Sequence, residues 1–189
     1  MELILASKSP RRRELLDMLG VDYRVEPATI NEGIDIKNPE RLVKELALQK
    51  AMAVSAKNPE DYILAADTVV YLEDILGKPK DAKEAYEMLS FLSGKTHRVY
   101  TGVALVSKDN NFVKVFAEMT EVDFRLIRPK EIEDYIGTKE PLDKAGAYGI
   151  QGFGGVFVTA IRGSYHNVVG LPLAQTAELL GEAGLYKKW

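Results

Sequence analysis

The stretch Leu3-Ile4-Leu5-Ala6-Ser7-Lys8-Ser9-Pro10-Arg11-Arg12-Arg13-Glu14-Leu15-Leu16 reads as a strand that turns directly into a helix. The apolar run ends at Ser7. Ser9 is a good N-cap, and Pro10 suits the first helical position. The helix spans residues 10–19 and closes at Gly20. A helix start carries unpaired N–H groups and the positive end of the helix dipole, so it attracts anions, phosphate foremost. Arg11, Arg12 and Arg13 fall in that first turn, where cations oppose the dipole. Their placement points to a negatively charged partner; the plainer reading is a solvated basic face on a surface helix.

Outward from this junction, strands and helices alternate. Residues 23–25 form a short strand, and 27–38 a polar loop carrying Glu32 and Asp35. Asn38-Pro39 starts a long helix to about residue 56. Residues 62–72 are apolar enough for a central strand. Gly77-Lys78-Pro79 marks a turn, and Asp81 with Glu84 resembles a capping box for a helix ending at Ser93-Gly94. The middle changes character: 99–107 and 112–124 read as strands around the turn Lys108-Asp109-Asn110-Asn111. A helix over 129–136 follows, then an irregular stretch over 137–155 that holds six of the chain's fifteen glycines. Loops of that length inside a compact chain are usually functional. A strand over 156–161 and a helix over 173–180 complete the pattern. The expectation is an α/β fold: a mixed, partly parallel sheet flanked by helices, with two lobes and a central cleft.

Composition narrows the function. The 189 residues are 46% apolar, enough to bury a core. A net charge of −3 and a pI of about 5.6 argue against wholesale electrostatic binding to nucleic acid. With no cysteine, disulfides, thiolate metal sites and thiol nucleophiles are excluded. No apolar run approaches the ~20 residues that cross a bilayer, and the start shows no signal-type apolar core. The protein is expected to be cytoplasmic, with no membrane or nucleic-acid partner.

Individual residues break the pattern. Asp67 stands inside Ile63-Leu64-Ala65-Ala66-Asp67-Thr68-Val69-Val70-Tyr71. A carboxylate there is costly to bury unless paired, hydrogen-bonded or metal-bound. It either ends the strand and caps a turn or serves a site; the β signal continuing beyond it favours the site. Lys50 falls on the apolar stripe Val43, Leu46, Ala47, Ala51, Val54. It either snorkels to solvent or points into a cleft and meets an anion. In the glycine-rich stretch, Asp143, Lys144, Tyr148 and Gln151 supply a carboxylate, a cation, a stacking ring and an amide suited to a nucleobase edge, while the glycines let backbone approach a ligand. Glu32 and Asp35 are candidate metal ligands, although a polar loop carries carboxylates by default. Lys78 is either a site cation or plain surface. His97 and His166 lack metal-type spacing and read as structural or peripheral. No P-loop and no G-x-S-x-G elbow is present. Cations and carboxylates without a covalent nucleophile suit metal-assisted phosphoryl or nucleotidyl chemistry, with oxygen ligands on a hard ion such as Mg²⁺.

Ser7-Lys8-Ser9-Pro10-Arg11-Arg12, Glu32, Lys50, Ala66-Asp67-Thr68, Gly77-Lys78-Pro79, Ser93-Gly94-Lys95-Thr96-His97, Thr101-Gly102-Val103 and Glu140-Pro141 through Gly152 occur in the order of the Maf family of nucleoside triphosphate pyrophosphatases, which the chain resembles along almost its whole length. The resemblance implies a single domain over residues 1–189 of two dependent lobes, similar in fold to inosine-triphosphate pyrophosphatases. It implies cleavage of a nucleoside triphosphate between the α and β phosphates with a divalent metal, Mg or Mn. It implies catalytic roles for Asp67, Glu32 and Lys50, metal binding by Asp67 and Glu32, and substrate binding by Ser7, Ser9, Arg11, Arg12, Lys78 and Lys144. Arg11, Thr68 and Gln151 would set base specificity, and the Asp143-to-Gly152 loop resembles the dTTP/UTP subgroup rather than the 7-methyl-GTP subgroup. Members are commonly dimers, so a homodimer is allowed, and the family is linked to inhibition of septum formation. A nucleotide-sensing regulator of cell division with little catalysis would use the same residues.

Overall fold

The structure is a computed structural model that describes residues 1–31 and 33–187. Helices and strands follow in the order β1 (Leu3–Leu5), α1 (Pro10–Asp17), β2 (Arg24–Val25), α2 (Pro39–Ser55), β3 (Tyr62–Leu72), β4 (Asp74–Leu76), α3 (Ala82–Leu92), β5 (Thr96–Ser107), β6 (Phe112–Phe124), α4 (Pro129–Gly137), β7 (Val158–Arg162), α5 (Tyr165–Val169) and α6 (Leu173–Glu182). The strands form an open seven-stranded sheet in the order β2-β1-β3-β5-β6-β7, with β4 beside β3. β1 is parallel to β2 and β3, whereas β3–β4 and β6–β7 are antiparallel. The sheet is therefore mixed and flanked by helices, as expected. No helix among the described residues is long and apolar enough to cross a membrane.

The chain divides into two compact units. The first comprises residues 1–67, 101–118 and 170–189; the second comprises 68–100 and 119–169. In the first, Ile4, Ile63, Ala65, Ala104 and Val106 of the strands, with Ala6 just after β1, meet Ala47, Ala51 and Val54 of α2. Small side chains on both faces let the helix lie close to the sheet. Gly102 takes this furthest. A Cβ there would stand 2.3 Å from the Val43 carbonyl oxygen of α2, a distance no side chain tolerates. Asn38 starts α2 as anticipated, accepting the Arg41 N–H at 2.9 Å with Pro39 next.

The second unit packs α3 and α4 around Val70, Val99, Val122 and an aromatic group of Phe124, Tyr135, Tyr148 and Phe157. Asp81 caps α3 by accepting the Glu84 N–H at 2.8 Å, while the Glu84 carboxylate reaches back to the Lys80 N–H at 2.6 Å. β5 starts at Thr96, three residues before its expected start at 99, because the inward–outward alternation already holds there. Thr96 and Arg98 are exposed, and His97 and Val99 are buried. A histidine in an inward position hides that alternation. β4 is a further departure: the chain reverses at Glu73, whose φ of 61° supplies a tight turn without the glycine that usually signals one. β7 begins two residues later than expected because residues 153–157 form a 3₁₀ turn. The short helix α5 carried no periodicity long enough to read.

Two outcomes follow from this packing. Gly102→Ala forces α2 off the sheet and should cost about 1–3 kcal/mol, read as a lower denaturation midpoint at unchanged slope. His97 is buried, with Nε2 2.8 Å from the Tyr148 hydroxyl. Burial pushes it from 6.5 down to about 4, against the pull of the Asp123 carboxylate. The unfolded imidazole therefore takes up its proton first. Its contribution is fully present above the unfolded value and is lost as pH falls through 6.5 towards 4, by at most about 1.4 kcal/mol per pH unit. Denaturation between about pH 7.5 and pH 5 should show that loss, and His97→Asn should flatten it.

Candidate active site

In the first unit the chain runs from β1 through α1 out to β2, then through α2 back to β3 on the other side of β1. In open α/β sheets, ligands bind outside the carboxyl ends of the strands where the strand order reverses in this way. The ladder Leu3↔Tyr62, Ile4↔Ile63, Leu5↔Leu64 runs towards Ser7 on one strand and Asp67 on the other. The topology thus brings the basic helix start and the anomalous carboxylate to one end of neighbouring strands.

The junction after β1 is internally tied. The Ser9 hydroxyl accepts the Arg12 N–H at 3.4 Å and caps α1, with Pro10 following. Ser7 is buried, and its hydroxyl accepts the Ser9 N–H at 3.1 Å and Arg12 Nη1 at 3.4 Å. With two bonds accepted, what that hydroxyl offers a ligand is its proton. Arg12 Nε donates to the Gly170 carbonyl at 2.8 Å, which fixes the guanidinium. Arg11 is half-buried and Arg13 exposed. The first turn of α1 holds no acidic residue, so no carboxylate there offsets the positive end of the helix dipole.

Lys50 does not snorkel. Its Nζ donates to Asp67 Oδ1 at 2.6 Å, and both side chains are only 13% exposed. The anion it meets is Asp67 itself. Pairing makes burial of the carboxylate tolerable, and the charge-assisted bond fixes its rotamer. A carboxylate held in this way suits proton transfer from water or ligation of a hard cation.

The second unit carries the other candidates. Thr68 is half-buried in β3. Lys78 is exposed, and the neighbouring Gly77 carbonyl accepts the Gly146 N–H at 3.0 Å, so the Lys78 turn abuts the glycine-rich stretch. Lys144 is turned inward. Its Nζ meets the Glu140 carbonyl at 2.7 Å and Asp143 Oδ1 at 2.6 Å, and its side chain is 12% exposed. Gln151 is exposed in a turn. Glu32 lies outside the described residues; Asp35 is exposed and pairs with Lys37.

Two readings of the glycine-rich stretch need correction. Tyr148 is no stacking platform for a ligand: it is buried against His97 and Phe124 in edge-to-face contacts. Gly149 and Gly152 approach this chain's own side chains. A Cβ on Gly152 would meet Glu140 Oε1 at 2.3 Å, and one on Gly149 would meet Lys144 Cε at 2.6 Å. The residue that sequence reasoning passed over is Glu140, whose carboxylate accepts the Tyr135 hydroxyl and the Phe153 and Gly154 N–H groups. Its position between Lys139 and Pro141 in an irregular segment gave it no periodicity to violate.

Comparison with known proteins places the chain. The family model described as "Maf-like protein" matches residues 2–183. The chain belongs to the Maf family. A protein of Bacillus cytotoxicus named "dTTP/UTP pyrophosphatase" is 54% identical over 176 residues, covering 92% of this chain and 91% of that protein. A protein of Bacillus cereus with the same name is 51% identical over the same shares. The solved structure of the Staphylococcus aureus Ham1 protein covers 98% of both chains with a TM-score of 0.55 at 16% identity, a likeness of fold alone.

The Lys50–Asp67 pair predicts coupled energetics. Lys50→Met leaves a carboxylate buried without its cation and should cost about 3 kcal/mol. Adding Asp67→Asn should recover a large part of that loss. Chemical denaturation of the two single variants and the double variant measures the coupling; simple additivity would mean that the pair is not a unit.

Proposed function

We propose that this Maf-family protein hydrolyses nucleoside triphosphates, dTTP and UTP foremost, to the monophosphate and pyrophosphate. The observation that carries the proposal is the pair of Lys50 on α2 with Asp67 on β3, the strand next to the one that leads into the arginine-bearing start of α1, in a chain about half identical to proteins named dTTP/UTP pyrophosphatase. Arg11 and Arg12 neutralise the phosphates, with Ser7 and Ser9 and the helix N-terminus supplying neutral donors. Asp67 accepts a proton from the attacking water as the α–β anhydride breaks and pyrophosphate leaves. Lys50 orients that carboxylate. Among the second unit's residues, Lys78 and Lys144 are assigned to substrate binding, and Thr68 and Gln151, with Arg11, to reading the base.

A divalent cation fits this donor set. Among the described residues no three His, Asp or Glu side chains gather into a closed metal cage. Mg²⁺ typically needs only one or two carboxylates, completing its shell with water and substrate phosphates. Asp67 would hold it, together with Glu32. The cation, Mg or Mn, would screen phosphate charge and make water more acidic.

The test is product analysis. The protein with dTTP or UTP and Mg²⁺ should release one pyrophosphate per monophosphate formed. Asp67→Asn should lower kcat by at least about 100-fold with unchanged far-UV circular dichroism. Near-normal turnover by Asp67→Asn would remove it from the proton-transfer step. Orthophosphate with a diphosphate product would place cleavage at the other anhydride. Binding without any product would favour a sensor.

A further inference from the structure

We infer that Glu140 is a positioning residue for base recognition: it sets the place of Gln151 by anchoring both ends of the turn that carries it. The inference rests on the proposed base-reading role of Gln151. Downstream of Gln151, Glu140 Oε2 accepts the Phe153 N–H at 2.9 Å and Oε1 the Gly154 N–H at 3.3 Å. Upstream, the Tyr135 hydroxyl accepts the Gly149 N–H at 3.1 Å and donates its own proton to Glu140 Oε1 at 2.9 Å. Both ends of the segment thus converge on one carboxylate. Gly152 packs onto it so closely that a Cβ would stand 2.3 Å from Oε1. The Gly152 N–H closes the turn on the Gly149 carbonyl at 3.3 Å. Glu140 is itself fixed, its N–H on the Thr138 hydroxyl at 3.2 Å and its carbonyl on Lys144 Nζ at 2.7 Å.

An exposed glutamine amide selects a base only if its take-off geometry is set in advance. Free rotation of the turn would spend binding energy on ordering it. Three donors on one carboxylate provide that order, since charge-assisted bonds are the strong ones. Replacing one oxygen by an amide nitrogen sets a donor against a donor, so Glu140→Gln keeps the shape of the side chain and breaks part of the anchorage. A purely architectural role would lower stability and scale all substrates alike. A positioning role changes the ratio between substrates.

The experiment measures kcat/KM for dTTP, UTP and dATP in wild type, Glu140→Gln, Gln151→Ala and the double variant, with melting curves for each. Glu140→Gln should lower discrimination for dTTP over dATP by about tenfold, chiefly through a raised KM for dTTP. In the Gln151→Ala background the same substitution should change discrimination by less than about twofold, because it acts through an amide already removed. Wild-type discrimination in Glu140→Gln, or an undiminished effect in the double variant, overturns the inference while leaving the proposed activity standing. Unchanged discrimination in Gln151→Ala overturns it together with the role of Gln151. No hydrolysis of dTTP or UTP by wild type overturns the activity itself. If Glu140→Gln does not fold, Tyr135→Phe carries the test. It keeps the ring and removes the hydroxyl that joins Gly149 to Glu140, and it should shift the ratio in the same direction.

Discussion

A carboxylate inside an apolar strand is costly to bury without a partner, and the first unit meets that demand with the Lys50 ammonium. Asp67 sits in β3, and Lys50 reaches it from α2 with a largely buried side chain. The helix must therefore lie close against the strands. Ala47 and Ala51 on its face and Ala65 and Ala104 beneath it permit this, and the missing side chain of Gly102 lets the Val43 carbonyl come within what would be a collision for any other residue. The charge pair and the close packing support each other. Stability alone does not call for the charge pair, since a well-packed apolar pair at the same place would serve the core as well or better.

The second unit solves a different problem with a similar device. Its long segment between α4 and β7 has no sheet or α-helix to satisfy its backbone. Glu140 and Tyr135 take over that task by offering a carboxylate and a hydroxyl to N–H groups that would otherwise need water. Gly152 and Gly154 follow as a consequence: the Glu140 carboxylate and the Tyr135 hydroxyl occupy the space beside the backbone, where a Cβ has no room. At Gly152 the glycine that suggests a ligand cradle instead lets the backbone wrap an internal anion, the Glu140 carboxylate.

What could be read in advance divides along physical lines. The junction after β1, the long helix α2 and the strand β3 were legible because cap, proline and apolar period agreed over many residues. Asp67 and Lys50 stood out for the opposite reason, each violating a clear apolar pattern, and the structure joins them to one another. Where no pattern exists there is nothing to violate. Glu140 lies in such a stretch, so a central carboxylate looked like any loop glutamate. Tyr148 looked available because tyrosine is amphipathic; only the fold shows its hydroxyl meeting the buried His97. The turn at Glu73 and the short β4 escaped because a non-glycine residue holds the positive φ. For Tyr148 the partner that decides the local conformation, His97, is 51 residues away in the chain.

The backbone at Gly146 and Ala147 shows how the glycine-rich segment is held from its core side. Both residues have left-handed φ, 65° and 59°, and for alanine that costs roughly 1–2 kcal/mol. Gly146 cannot carry a side chain, since a Cβ would stand 2.7 Å from Val70 Cγ2. Its N–H is committed to the Gly77 carbonyl. The two left-handed residues turn the chain so that Tyr148 enters the aromatic cluster with Phe124 and His97. Burying such a ring is worth about 2–3 kcal/mol, enough to offset the strain at Ala147. Tyr148 leaves in an extended conformation, and the next residue, Gly149, reaches the Tyr135 hydroxyl. Strain of this kind persists only where the surroundings over-determine it, and here the over-determination comes from the apolar core and from the neighbouring turn. The exposed tip at Gln151 therefore projects from a base whose geometry is set by packing that no substrate needs to supply.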